Sequence, residues 1–205
     1  RRFDEVGLVP GDIRSMDDFR KIPVLKKTDI QQSLEAIKAS NYPPDQLICD
    51  ATGGSTGYPL TFFRNVQANL WTSEAAKRFR RWIGYRPSDK LALIWGADRD
   101  VPSSQPANRR WLNSFNCSGR KIEEFVNELV QWKPDAIRGY ASSLYLVASY
   151  IKRNNLNAPH PKCIESAAEK LWDHQRALVE NVFQCKVFEM YGSREIPSLA
   201  CECRF

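Results

Sequence analysis

The chain has 205 residues, enough for one sizeable domain or two small ones, and its 42% hydrophobic and 26% charged residues are the balance of a globular protein. Its longest apolar run, Leu91 to Trp95, falls far short of the roughly 20 residues that a membrane-spanning helix needs, which argues against a membrane protein or a membrane partner. The net charge of +6 is spread along the chain, and its densest cluster, Lys77, Arg78, Arg80 and Arg81, reads as the solvated face of a helix, so nucleic acid is not the expected partner.

Residues 1 to 47 read as a helical segment with extended connections. Ser15 ahead of Asp18 suits an N-cap, and Thr28 with Gln31 forms a capping-box pattern before Ile30, Leu34 and Ile37, which share a helix face. Pro23 separates the two short helices, and Tyr42-Pro43-Pro44-Asp45 is a turn or linker. From residue 48 the pattern becomes that of a nucleotide-binding α/β core. Leu47-Ile48-Cys49 enters a Gly-rich loop, Thr52 to Pro59, and Leu60-Thr61-Phe62-Phe63 leaves it. A long helix follows from Val66 to Ile83, with Trp71, Ala75, Phe79 and Trp82 at helical spacing and Gly84 as its stop. Lys90 to Trp95 is a short strand, and the polar stretch 97–118 reads as a loop or insertion. Ile122, Phe125, Val126, Leu129 and Val130 define an amphipathic helix that stops before Pro134. Asp135 to Arg138, Pro161 to Ser166 and Cys185 to Met190 are strand-like. Leu144, Val147, Ala148 and Ile151 mark one intervening helix, and Leu171, Leu178, Val179 and Val182 mark the next. Short strands alternating with helices predict an α/β fold with a largely parallel sheet flanked by helices.

In such sheets ligands bind at loops leaving the carboxyl ends of strands, and three loops here qualify. Thr52-Gly53-Gly54-Ser55-Thr56-Gly57-Tyr58-Pro59 supplies glycines that let backbone N–H groups turn inward and hydroxyls that can serve phosphate oxygens. Alone, such a turn is as readily a plain loop. It is not a Walker loop, because Tyr58 stands where the lysine would be, and the dinucleotide pattern of spaced glycines is absent. Tyr191-Gly192-Ser193-Arg194-Glu195 directly follows a strand. A tyrosine there can lie against a planar base, and a carboxylate shortly after can hold magnesium; the plainer alternative is a surface turn with a solvated ion pair. Ser166-Ala167-Ala168-Glu169 offers small residues beside a flat ligand, or a helix start with Ser166 as cap and Glu169 closing the capping box. Of the six cysteines, Cys163 and Cys185 read as core packing and the set as reduced thiols in a cytoplasmic protein, while Cys201-x-Cys203 is half of a zinc site. His160 and His174 read as surface residues. A non-catalytic basic binding module is the alternative of another class.

Taken together, these segments resemble the adenylate-forming, AMP-binding enzymes. Gly53 to Pro59 is similar to their phosphate loop, Tyr191 to Glu195 to their later Tyr-Gly-x-x-Glu motif, and Ala167-Ala168-Glu169 to the adenine-contacting loop between them. Lys133-Pro134-Asp135-Ala136-Ile137-Arg138-Gly139-Tyr140-Ala141-Ser142 resembles a further segment of the family, and Ile22-Pro23-Val24-Leu25-Lys26-Lys27 also fits. The nearest subgroup is phenylacetate–coenzyme A ligase-like, with its deazaflavin-coenzyme adenylyl transferases and capsule polysaccharide biosynthesis homologues. The resemblance runs over nearly the whole chain with all motifs in order.

The resemblance implies an ATP-dependent ligase that converts a carboxylic acid into an acyl-adenylate with release of pyrophosphate, then forms a coenzyme A thioester or passes the group to another acceptor. It implies ATP and magnesium as cofactors and coenzyme A as co-substrate. Thr52, Gly53, Gly54, Ser55, Thr56 and Gly57 would cradle the outer phosphates, with Thr56 and Glu195 catalytic. Ala167, Ala168 and Glu169 would border adenine; Tyr191, Gly192, Ser193 and Arg194 would complete that pocket, and Glu195 would ligate magnesium. Gly139, Tyr140 and Trp95 would wall the acyl site, with Asp98 and Arg99 as weaker candidates. Leu60 replaces a lysine frequent in the family, which leaves phosphate charge to backbone donors, magnesium and Arg64; Arg194 stands where many relatives carry threonine. From its first and last residues the chain is expected to be cut at both ends; the family's ribose-binding aspartate, hinge and C-terminal lysine would lie past Phe205, so the chain alone is expected to be inactive.

Overall fold

The computed structural model describes residues 3–52, 59–96 and 106–204. It divides into two compact units, Arg1–Val66 and Gln67–Phe205.

The first unit carries three short helices, α1 (Met16–Arg20), α2 (Lys27–Gln32) and α3 (Leu34–Ile37), and an antiparallel pair, β1 (Leu47–Ala51) and β2 (Thr61–Asn65). Ser15 caps α1 as expected, its hydroxyl accepting from the Asp18 N–H at 3.2 Å. At α2 the cap differs from the expected one. The helix begins at Lys27, so Thr28 lies inside it, and the Asp29 carboxylate accepts from the Lys26 N–H at 2.9 Å. Ile30, Leu34 and Ile37 still share a face, beside Phe62 and Phe63 of β2. Because β1 and β2 pair with each other, the boundary between the units falls after the hairpin, at Val66.

The second unit is built on a six-stranded sheet in the order β4-β3-β5-β6-β7-β8. Its strands are β3 (Leu91–Ile94), β4 (Arg109–Leu112), β5 (Ala136–Tyr140), β6 (Cys163–Ala167), β7 (Val187–Tyr191) and β8 (Ala200–Cys201). All neighbours run parallel except β8, which is antiparallel to β7. The helices are α4 (Val66–Ile83), α5 (Gly119–Trp132), α6 (Ala141–Arg153) and α7 (Asp173–Phe183). Period-two alternation splits the strand residues between two apolar layers. Ala92, Ile94, Ile137, Ile164 and Val187 meet the stripes of α5 and α6 and the inner side of α7. Leu91, Leu93, Ala136, Cys163 and Phe188 form the other layer with Ile83 and Tyr85, at and just after the end of α4.

Two strands fall where the sequence suggested none. Arg109–Leu112 lies within the stretch expected to be a loop. It is an edge strand, and only Leu112 is buried, so its pattern carries almost no apolar signal. Strand β8 is two residues long. Helix α7 starts at Asp173, so Leu171 is buried ahead of it rather than within it. At the end of α4, Gly84 has a φ of +108°, and the Arg204 guanidinium lies against it while donating to the Ile83 carbonyl at 2.8 Å. A side chain at residue 84 would collide with that arginine. The cluster expected on a solvated face of α4 is also divided: Arg78 is exposed, but Arg80 turns inward to the buried carboxylate of Glu165.

Candidate functional site

The parallel register lines up the carboxyl ends of four strands. Ile94 of β3 is opposite Gly139 of β5, Tyr140 is opposite Ala167 of β6, and Ala167 is opposite Met190 of β7. Trp95, Tyr140, Ala168 and Tyr191 therefore follow one another along a single edge of the sheet.

A cleft of about 670 Å³ opens at the β6 and β7 end of that edge, lined by Ala168, Glu169, Met190, Tyr191, Gly192 and Cys201 among others. Two of the motifs singled out in the sequence thus share one cavity. Ala167 is buried at the end of β6. Ala168 has a φ of +68°, a left-handed conformation that costs a non-glycine residue about 1–2 kcal/mol. Such strain collects where a backbone must take a special path. Neither Ser166 nor Glu169 forms the expected capping box, because Ser166 lies within β6 and α7 begins four residues after Glu169. Glu169 instead caps a different helix: its carboxylate accepts from the Ser142 N–H, in the first turn of α6, at 2.9 Å.

Tyr191 is 71% exposed, its ring open to the cleft. After it the chain makes a tight turn. The Ser193 N–H donates to the Ile196 carbonyl at 3.0 Å, the Ser193 hydroxyl accepts from the Ile196 N–H at 3.1 Å, and the Leu199 N–H returns to the Tyr191 carbonyl at 2.9 Å. Gly192 is required for this path, since a Cβ there would lie 2.7 Å from the Ser198 nitrogen. Arg194 and Glu195 stand exposed on the turn. Glu189 and Glu202 also line the cleft: Arg176 holds Glu202 at 2.8 Å and the carbonyl of Val187 at 2.6 Å, while Glu189 accepts from the Leu171 N–H at 3.1 Å.

Further along the edge, the Trp95 and Tyr140 rings lie 4.2 Å apart between centroids, and Phe115 flanks Tyr140 at 6.4 Å. The Trp111 indole N–H donates to the Trp95 carbonyl at 2.8 Å. Gly139 is buried, and a Cβ there would meet Leu144 at 3.0 Å and the Ile94 carbonyl at 3.1 Å. Its place is where α6 presses closely on β5. Sequence reasoning missed the groups beneath this wall. Glu165, at 0% exposure, faces Tyr85, Arg80 and Arg138. Burial, and then the neighbouring Glu165 charge, push the Tyr85 phenol well above its ordinary range. The only signal in the sequence was a charged residue in the middle of each of two otherwise apolar strands.

In the first unit, Thr52 closes the base of the Gly-rich loop. Its N–H donates to the Leu60 carbonyl and its hydroxyl accepts from the Leu60 N–H, both at 2.9 Å. Gly53, Gly54, Ser55, Thr56 and Gly57, with Asp98 and Arg99, lie outside the described residues. Arg64, considered for phosphate charge, pairs with Asp50 of β1 at 2.6 Å. None of the six cysteines forms a disulfide, and among the described residues no group of three or more His, Cys, Asp or Glu side chains is arranged to hold a metal. Among the described residues no helix is long and apolar enough to cross a membrane.

No protein-family model matches the chain. It is 25% identical over 189 residues to Protein CapK of Staphylococcus aureus, covering 87% of this chain and 41% of CapK. It is 24% identical over 214 residues to the phenylacetate-coenzyme A ligase of Escherichia coli strain K12, covering 99% of this chain and 48% of the ligase. The chain thus spans about half the length of the curated relatives it matches. Among solved structures, an open conformation of 2-hydroxyisobutyryl-CoA ligase in complex with 2-HIB-AMP and CoA shares the fold with a TM-score of 0.63 at 19% identity, covering 99% of this chain and 51% of that one. By these sequence matches, over a mixed α/β fold with a mostly parallel sheet, the chain is similar to the phenylacetate–coenzyme A ligase-like, adenylate-forming proteins.

Proposed function

We propose that this chain is the nucleotide- and acid-binding part of an ATP-dependent acid–coenzyme A ligase. The observation that carries the reading is the shared cleft: Ala168, Glu169, Tyr191 and Gly192 come from two different strand ends and line one cavity at the carboxyl edge of a parallel sheet. Adenine would lie in this cleft, with its face toward the Tyr191 ring. The acid would lie against Trp95 and Tyr140, further along the same edge. In the first half-reaction an oxygen of the acid attacks the α-phosphorus of ATP, the bond from that phosphorus to the bridging oxygen breaks, and pyrophosphate leaves with the electron pair. In the second, the thiolate of coenzyme A attacks the acyl carbon and AMP leaves. No side chain need form a covalent bond, so the protein's part is alignment and stabilisation of spreading negative charge.

The Gly-rich loop from Gly53 to Gly57 would supply backbone donors and the Ser55 and Thr56 hydroxyls to the outer phosphates, with its base held shut by Thr52 and Leu60. Magnesium takes one or two protein carboxylates together with substrate phosphates, and the exposed Glu195 carboxylate fits that need. When bound, it would neutralise charge on the leaving pyrophosphate. The match to CapK, whose name is not that of a coenzyme A ligase, favours a second reading in which the acyl or adenylyl group passes to another acceptor. We place the protein in the cytoplasm, with the small-molecule acid, ATP and coenzyme A as its partners.

The test is exchange of labelled pyrophosphate into ATP by the full-length protein, over a panel of carboxylic acids that includes phenylacetate and 2-hydroxyisobutyrate. Acid-dependent exchange that falls at least about tenfold in Glu195→Gln is expected, given the size of such electrostatic contributions. Absence of exchange with every acid, together with ATP binding that magnesium leaves unchanged, would sink the ligase reading. Exchange without thioester formation would select the second acceptor.

A further inference from the structure

The proposed reaction leaves one cluster unused. Glu165 lies at 0% exposure in the centre of β6. Its Oε2 accepts from the Tyr85 hydroxyl and lies 3.5 Å from the Arg80 Nε, while its Oε1 lies 3.0 Å from the Arg138 Nε. Two guanidiniums and one phenol thus converge on a single carboxylate. Burial opposes ionisation of Arg80, but Glu165 and Tyr85 together more than offset it and hold that guanidinium above its ordinary range.

The fold does not call for a charge here. The residues level with Glu165 and Arg138 in the same layer are Leu93 and Phe188, both buried and apolar. An apolar pair at 138 and 165 would continue that layer, and replacing buried ion clusters by apolar residues is often neutral or stabilising. What the cluster delivers is a fixed cation. The Arg138 guanidinium sits 4.7 Å from the Trp95 ring centroid, and Trp95 in turn lies 4.2 Å from Tyr140. A chain of contacts thus runs from the buried Glu165 through the half-buried Arg138 and Trp95 to Tyr140, each touching the next. The backbone of Trp95 is tied separately, its N–H donating to the Leu112 carbonyl at 3.0 Å and its carbonyl accepting from Trp111 at 2.8 Å. Its ring packs against the buried layer that holds Leu93 and Phe188, and the Arg138 guanidinium meets it as the one charged contact among these.

We propose that Glu165 is a positioning residue for the acyl-binding wall: by holding Arg138 against Trp95 it sets the Trp95–Tyr140 stack against which the acid lies. The inference rests on the acyl-site reading of Trp95 and Tyr140 given above. It makes Arg138 the intermediary and Tyr85 with Arg80 the anchors, and none of the four touches the reacting atoms.

The test uses the full-length protein with Glu165→Gln, which keeps size and removes charge. With phenylacetate as the acid, KM for the acid should rise by about tenfold, as a small misplacement of positioning groups can produce, while KM for ATP stays within about twofold. Placed on a Trp95→Phe background, Glu165→Gln should add nothing further to the acid KM, because the two act through one contact. A folded Glu165→Gln protein whose acid KM is unchanged, or whose two KM values rise together, overturns the proposal, as does full additivity with Trp95→Phe. If Glu165→Gln does not fold, Tyr85→Phe keeps the ion pairs and should still raise the acid KM, by about threefold; an unchanged value overturns the proposal. Should the wild-type protein activate no acid, the ligase reading fails, and acrylamide quenching decides the positioning role separately. Trp95 fluorescence, taken as the difference from Trp95→Phe, should become more accessible in Glu165→Gln, and equal quenching overturns it.

Discussion

Tyr85→Phe isolates the strength of the buried cluster. The ring is 2% exposed and packs in the layer with Ile83, Leu91 and Phe188, so phenylalanine keeps the packing and leaves no cavity. The loss is one hydroxyl donor to Glu165, whose carboxylate still faces Arg138 at 3.0 Å and Arg80 at 3.5 Å. The charge is not stranded, so the cost is that of a hydrogen bond to a charged group, about 1.5–3 kcal/mol, and not the 3–5 kcal/mol of a broken buried pair. For a protein of this size the loss corresponds to a fall of about 3–12 °C in Tm. Urea unfolding should show a lower midpoint with an unchanged slope. A second readout follows from the phenol, which burial and then Glu165 hold above its ordinary 10.0. The folded state keeps this proton when the unfolded chain releases it, so the stabilisation is complete below pH 10 and declines above it, by about 1.4 kcal/mol per pH unit. Phenylalanine should remove that part of the alkaline decline. A loss below about 0.5 kcal/mol with an unaltered alkaline limb would refute the reasoning, by showing that the hydroxyl contributes no more than an exposed surface pair does.

Three further predictions concern the site and its support. Burial pushes the thiols of Cys163 and Cys185 from 9.0 to about 12, so stability should begin to decline at pH 9, and Cys163→Ala with Cys185→Ala should flatten the interval between pH 9 and pH 10 in a denaturation series. Gly192→Ala puts a Cβ 2.7 Å from the Ser198 nitrogen and 3.2 Å from the Ile196 carbonyl; relieving that crowding should cost about 1–3 kcal/mol and weaken ATP binding by calorimetry, and unchanged affinity would separate the turn from the nucleotide. Glu169→Ala removes the carboxylate that accepts from Ser142 and should cost about 0.5–2 kcal/mol in thermal unfolding, with Glu169→Gln recovering part of it; equal losses would show that charge alone acts on α6.

How far the sequence predicted this molecule depended on where the apolar atoms face. Helices α4, α5 and α6 were legible because their stripes repeat at helical spacing, and β3, β5, β6 and β7 because both their faces are buried and they read as short apolar runs. Strand β4 was not, because an edge strand with one buried residue has no period to detect, and Arg109 and Arg110 suggest solvent. Arg110 in fact pairs with Glu128 and lies over Trp132, contacts that depend on α5 being in place. The site residues separate in the same way. Tyr191 and Gly192 sit in a turn whose chemistry is local, so the motif singles them out without any distant contact, and both line the cleft. Glu169 showed its acid but not its partner, since Ser142 is 27 residues away and is brought close only by the pairing of β5 with β6.

The same distinction explains why the buried cluster escaped notice. A charge inside an apolar strand normally signals an edge or an error of assignment, and nothing local distinguishes that from a charge with partners. Glu165 finds Tyr85 80 residues earlier, Arg138 on the neighbouring strand, and Arg80 at the end of a long helix. Each partner looks ordinary in isolation. Arg80 belongs to a basic helix face, Tyr85 follows a helix stop, and Arg138 sits inside a family motif. Only the register that sets Arg138 opposite Glu165, with Trp95 one step beyond Ile94, brings these partners together beneath the aromatic pair. The motifs visible in the sequence are those that would touch nucleotide. On the proposed reading, what would hold the acid's side of the site in place is a tertiary property, and variants of Glu165 and Tyr85 are where the two can be told apart.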